Sequence, residues 1–147
     1  MTKKEALEQV KKAKTSHKKW MTYAKAIHMG IKLDKDAVPL LETDCVFGKW
    51  YYGPAQAFES LESFQEIEQY HTLLHETYQK MYLERKKEAK GGFFTSKSSA
   101  ERKKKAVLDQ YMNQLTQISE MLKEKLTAFE NELKEMSDVE FKKLVEG

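Results

Sequence analysis

The 147 residues carry 26 Lys+Arg and 23 Asp+Glu, a formal net charge of +3, with 40% hydrophobic side chains, enough apolar material for one core. Six Gly and two Pro are about half of average usage; so few turn residues favour long helices and exclude a multi-strand sandwich, a collagen-like fibre and a Gly-rich disordered chain. No stretch approaches the roughly 20 apolar residues of a membrane span, and the Lys-rich start lacks the apolar segment of a signal peptide, so a soluble cytoplasmic protein is expected.

In chain order, Leu7, Val10, Ala13, Trp20, Ala24 and Ile27 recur at three and four residues, the period of one helix face. The spacing predicts a long amphipathic helix from Thr2 to about Met29, ended near Gly30, with His17 on the inward stripe. Ile31 to Leu41, with Asp34, Asp36 and Pro39, reads as a connection. Thr43 or Asp44 suits the cap of a short second helix that holds Cys45 in its first turn and runs to about Tyr52, before Gly53 and Pro54. A third helix is predicted from about Ala57 to Lys90, with Leu61, Phe64, Ile67, His71, Leu74, Tyr78 and Met81 on one side and Gly91 and Gly92 as its stop.

Ser98 and Glu101 form an S-x-x-E capping box, which predicts a fourth helix beginning near Ser99. Its stripe runs Leu108, Tyr111, Leu115, Ile118, Leu122, Leu126, Phe129, Leu133, Met136. Ser137 and Asp138 then suit a fresh cap for a short terminal helix. The expected fold is all-α: one domain over residues 1–147, an antiparallel four-helix bundle with a short extra helix carrying either the cysteine or the C-terminus. A stripe as long as Leu108 to Met136 exceeds what a thin bundle covers, so a homodimer through the fourth or first helix is expected.

Charge is uneven. Residues 85–105 hold nine basic and two acidic side chains, whereas residues 106–147 hold five basic and nine acidic. The basic segment is read as a solvated loop between two helices; its functional alternative is binding of phosphates or an acidic lipid surface. It has no interleaved aromatic platform and no zinc-finger spacing, so no nucleic-acid partner is expected.

The four histidines, His17, His28, His71 and His75, and the single cysteine, Cys45, are the chain's only imidazole and thiolate metal ligands. His71 and His75 are four apart, which stacks both rings on one helix face as a chelate. With His17 on an inward stripe and Cys45 at the start of the neighbouring helix, three imidazoles and one thiolate make a full tetrahedral set for one Zn²⁺ per chain. His28 lies eleven residues from His17, about 16 Å along a helix, and is set aside. Glu68 and His71 make one E-x-x-H, but a di-iron bundle needs two such motifs. Trp20, Phe47 and Trp50 are expected to shield the site, Gly48 to let another helix approach it, and Asp44, Glu68 or Glu76 to accept an imidazole N–H from a ligand.

The run His17-Lys-Lys-Trp20, Cys45-Val-Phe47-Gly48-Lys-Trp50 and His71-x-x-x-His75 resembles the chemoreceptor zinc-binding (CZB) domain of bacterial signalling proteins. The pattern H-x-x-[aromatic or Leu], C-x-[apolar]-G-x-[Trp or apolar] and H-x-x-x-H is filled at every position. The resemblance implies that His17, Cys45, His71 and His75 are the zinc ligands of a sensory four-helix domain, usually homodimeric, attached to a chemoreceptor or a diguanylate cyclase. It also implies that the zinc-bound cysteine senses zinc or hypochlorous acid. No such output domain is present in these residues, so a stand-alone member is expected. A non-catalytic sensory module is the first reading. A zinc-stapled adaptor stands beside it, and a zinc hydrolase, which needs an open coordination position, comes last.

Overall fold

Thr2 and Ser137 each open a helix with the same device. The Thr2 hydroxyl accepts the backbone N–H of Glu5 at 3.2 Å while the Glu5 carboxylate accepts that of Thr2 at 2.7 Å; Ser137 and Glu140 repeat the exchange at 3.2 and 2.8 Å. In the computed structural model, which describes residues 1–33, 41–87 and 96–147, these caps start α1 (Lys3–His28) and α5 (Asp138–Glu146). Between them lie α2 (Val46–Tyr51), a 3-10 turn (Pro54–Phe58), α3 (Glu62–Lys86) and α4 (Lys97–Glu135). No strand occurs among the described residues, and no helix is long and apolar enough to cross a membrane.

α1 closes with Gly30 at φ +85°, which lets the N–H groups of Gly30 and Ile31 reach the carbonyls of Ile27 and Ala26, both at 3.0 Å. That is the glycine-dependent helix stop.

Three boundaries differ from the sequence reading. α2 begins at Val46 with Cys45 itself as N-cap, so neither Thr43 nor Asp44 caps it. α3 starts at Glu62 rather than near Ala57, because Pro54 opens a separate 3-10 turn that delivers Phe58 into the core. α4 is capped by Ser96, whose hydroxyl accepts the N–H of Ser99 at 3.1 Å, which puts Ser98 and Glu101 inside the helix. The expected stop at Lys90 to Gly92 and the connection residues Asp34, Asp36 and Pro39 lie outside the described residues; α3 itself runs to Lys86.

Cross-contacts fix the directions. The start of α3 meets the end of α4 through Ser63 to Glu132 and through Glu66 to Lys125 at 2.9 Å, while the end of α3 meets the start of α4 where Lys104 donates to the Arg85 carbonyl at 3.0 Å. α1 likewise runs against α4, from Lys3 on the Lys134 and Met136 carbonyls to His28 on Asp109 at 2.8 Å. The all-α bundle is therefore three long helices, with α1 and α3 each antiparallel to α4. The short α2 packs on α1 and the 3-10 turn, and α5 is the short extra helix at the C-terminus. The rings of Phe58, Phe64, Phe129 and Phe141 form one aromatic cluster near the α5 end, with Phe58 5.4 Å from Phe129 and 5.9 Å from Phe141. The α4 stripe is covered within the chain: Leu108, Leu115, Leu122, Leu126, Phe129 and Leu133 are buried, and Tyr111, Ile118 and Met136 partly so. The apolar excess expected to need a second chain is thus mostly absorbed by α1 and α3.

Candidate metal centre

The helical period does for α1 and α3 what the sequence spacing implies. His17 sits between Ala13 and Trp20 on the buried face of α1, and His71 and His75, one turn apart, face inward from α3. All three imidazoles are buried, His71 completely. Cys45, 7% exposed, arrives from the opposite wall at the N-terminus of α2. Its sulfur takes the position a Ser or Asp oxygen takes in an ordinary cap: it accepts the Gly48 N–H at 3.1 Å, and the thiol donates to the Glu42 carbonyl at 3.2 Å.

One ligand atom each from Cys45, His71 and His75 lies within 4.8 Å of the others, and Cys45 Sγ is 3.3 Å from His71 Nε2. With Zn–S near 2.3 Å and Zn–N near 2.0 to 2.1 Å, the edges of a tetrahedron are about 3.3 to 3.6 Å, so that sulfur–nitrogen pair already has the separation two ligands of one ion need. His17 stands beside this trio rather than in it. Its ring packs edge-on against His71 at 5.3 Å between centroids and against Phe47 at 5.4 Å. Its buried Nδ1 has no hydrogen-bond partner, a condition that a metal ion would relieve. The donor set and this orphaned nitrogen fit a zinc ion held by Cys45, His71 and His75 with His17 adjacent. His28 is elsewhere, bonded to Asp109.

Burial sets the protonation of the site. It drives the His17 pKa down to about 3, with His75 adding to the effect, and that of His71 down to about 2, with His17 and His75 adding to it. Both rings are therefore neutral and offer lone pairs at physiological pH. Burial also pushes the Cys45 thiol up, against the pull of the Gly48 and Phe47 backbone N–H groups.

An aromatic wall surrounds the donors. Trp20 lies 5.1 Å from His75 and Phe47 4.7 Å from His71. Trp50 touches Phe47 at 5.9 Å and stands one layer out, so two of the three expected shielding residues meet ligand rings directly. Tyr78, which sequence reasoning treated only as core, packs on Trp20 at 5.0 Å; its place three residues after His75 was the available signal. Among the described residues no carboxylate accepts from His71: its Nε2 faces Cys45 and its buried Nδ1 has no hydrogen-bond partner. Gly48 also has a different reason from the expected one. A Cβ there would fall 1.6 Å from the Glu42 carbonyl oxygen and 3.3 Å from Cys45 Sγ, so the close approach comes from the backbone of the cysteine loop and not from another helix.

His17 also borders a trough of about 460 Å³ between α1 and α4, floored by Met21, Leu122 and Leu126. One side of the candidate centre therefore faces an opening.

Residues 17–82 match the family model of the chemoreceptor zinc-binding domain. No curated protein and no solved structure matches the chain. The matched segment begins at His17, includes Cys45, His71 and His75, and contains the whole of the buried donor cluster. On this match and this donor set, the segment from His17 to Tyr82 belongs to the chemoreceptor zinc-binding domain family.

Proposed function

We propose that residues 1–147 act as one cytoplasmic zinc-binding sensory module, without catalysis, with one Zn²⁺ per chain held by His17, Cys45, His71 and His75. The observation that carries this reading is the convergence of the Cys45 sulfur and the His71 and His75 nitrogens in a buried site. Bound there, the ion would act as a Lewis acid that holds Cys45 as a thiolate. His17, whose ring packs on His71 at 5.3 Å between centroids, is the fourth ligand in this reading, and four protein ligands leave no open position for a hydrolytic water.

The stimulus in this reading is zinc itself or hypochlorous acid. In the oxidative case the Cys45 thiolate attacks the oxygen of HOCl. The S–O bond forms and the O–Cl bond breaks. Chloride leaves with the electron pair, so sulfur is oxidised by two electrons and chlorine reduced by two. The resulting sulfenic acid is a poorer ligand than a thiolate. The output is a change in how α2 sits against α1 and α3, passed to a chemoreceptor or diguanylate cyclase. Two chains form the working unit. What supports a homodimer is the resemblance together with the open α1–α4 trough, whose apolar floor a second chain would cover.

The test is metal analysis of the untagged protein and of the four single alanine variants, followed by matched doses of hypochlorous acid on wild type and Cys45→Ser. The reading requires about one zinc per wild-type chain and its loss from Cys45→Ala and His71→Ala. It also requires oxidant-driven zinc release that Cys45→Ser does not reproduce. Full zinc in both alanine variants would overturn the site; equal release with and without the cysteine would overturn the redox role alone.

A further inference from the structure

The basic run of the sequence has a definite place in the bundle. At the end where α1 and α3 finish and α4 begins, the Lys104 amine reaches the carbonyls of Arg85 and Lys87. The Arg85 guanidinium lies so close over Gly30 that a Cβ there would fall 1.7 Å from Nη2, and His28 meets Asp109. These contacts bring three helix ends to one face.

The exposed charges on that face are mostly basic among the described residues. Among the described residues, Lys32, Lys86, Lys87, Lys97, Arg102, Lys103 and Lys105 are exposed there, against one exposed acid, Glu101. Lys87 and Lys105 pair with Glu84 and Asp109, whereas Lys32, Lys97, Arg102 and Lys103 have no ion pair with a described residue. The other end mixes signs, with Glu135, Asp138, Glu140 and Glu146 exposed among Lys134, Lys142 and Lys143. A second property separates the basic end from an ordinary solvated surface: Met29 and Ile31, on either side of Gly30, are 67% and 49% exposed, and Leu83, half a turn before Arg85, is 60% exposed.

We infer that this end of the bundle docks on an anionic phospholipid surface. Exposed amines and guanidinium groups lie against headgroup phosphates, and the Met29 and Ile31 side chains enter the boundary with the acyl chains. Cationic side chains near an anionic leaflet each strengthen attachment by about fivefold and act only within a Debye length. Apolar side chains at the same level add a contribution that salt does not screen. A nucleic-acid backbone would satisfy the cations but offer nothing to the exposed Met29 and Ile31, and no exposed aromatic platform for bases lies among the described residues of this face. Docked in this way, α4 stands away from the membrane and the mixed-charge α5 end faces the aqueous phase.

The zinc-loaded full chain should float with vesicles of phosphatidylcholine mixed with phosphatidylglycerol, and not with phosphatidylcholine alone, at about 0.15 M salt. Replacing two exposed cations that have no ion pair with a described residue, Arg102→Ala with Lys103→Ala, should weaken binding about thirtyfold while circular dichroism stays unchanged. Ile31→Ser should remove the binding that survives at high salt. Three results would overturn the inference: equal binding to both vesicle types, no binding to the anionic ones, or binding indifferent to the double variant. A duplex oligonucleotide that displaces the vesicles and binds at lower protein concentration would replace lipid with nucleic acid as the partner.

Discussion

A Cβ atom on residue 48 would sit 1.6 Å from the carbonyl oxygen of Glu42, the same oxygen that accepts the Cys45 thiol. The obstacle is backbone, which cannot swing aside as a flexible side chain would. Gly48→Ala should therefore displace the Glu42 carbonyl or the cysteine and weaken zinc binding by at least about tenfold, although alanine favours a helix interior by roughly 1 kcal/mol. Lys49→Ala, exposed on the same helix, should bind zinc as the wild type does. A competition titration against a chromophoric chelator distinguishes the two.

His28 and His17 share α1 but should behave oppositely. The His28 imidazole is bonded to Asp109 at 2.8 Å, far from the donor cluster, so His28→Ala should keep full zinc and lose less than about 1 kcal/mol of stability. His17→Ala should lower zinc affinity. Metal content and urea denaturation of the two variants read these outcomes side by side.

Removing zinc with a chelator should leave the long helices in place. Their packing rests on apolar side chains such as Leu74, Leu115, Leu126 and the Phe58, Phe64 and Phe129 rings, all nearly or fully buried. Far-UV circular dichroism should change little, while amide exchange should accelerate first in residues 45–52. Global loss of helix on chelation would instead make zinc the staple of the fold.

Phe129→Ala should destabilise by about 3 to 5 kcal/mol. The ring is fully buried and contacts both Phe58 and Phe64 at 5.4 Å, so its loss opens a cavity where α3, α4 and the 3-10 turn meet. Urea denaturation checks the figure, and zinc content of the folded fraction should be unaffected.

Glu130 on α4 carries the acid sensitivity of the α1–α4 contact. Hydrogen bonds from Lys134, at 2.7 Å, and from Lys14 hold its carboxyl below its usual value of 4.5. A carboxylate with a depressed folded-state pKa stabilises fully above the unfolded value and loses that contribution as pH falls through the folded one. Glu130→Gln should thus cost about 1 to 2 kcal/mol at neutral pH, and the difference from wild type should shrink below pH 4.5. Denaturant melts at pH 7 and in the acid range measure it.

The sequence pattern was most legible where a residue's role follows from helical period alone. His17, His71 and His75 face inward because their neighbours three and four residues away are apolar, and the family motif shares those positions. Periodicity is silent about short elements. The helix expected from Ala57 starts only at Glu62, because the 3-10 turn Pro54–Phe58 takes its first two residues and brings Phe58 inward, a tertiary demand with no local signature. Cys45 was placed inside a helix because sulfur is not a customary cap, so Thr43 and Asp44 drew the assignment. The reason for Gly48 escaped as well, since a clash with the Glu42 carbonyl exists only once the loop before α2 has folded back.

α2 has six residues, well under the roughly 12 to 15 at which an isolated helix holds together in water, and its first turn is nucleated by the sulfur that also faces the donor cluster. Helix nucleation and ligand chemistry therefore depend on the same atom, since a thiolate sulfur has lone pairs enough to hold a metal ion and still accept the Gly48 N–H. Oxidation of Cys45 lowers the electron density that its sulfur offers both to the metal and to the Gly48 N–H, and a segment this short then rests on the burial of Phe47 and Tyr51 alone. Trp50, half-buried at the outer layer of that segment and packed on Phe47 at 5.9 Å, is thereby a built-in optical reporter of the state of a single sulfur.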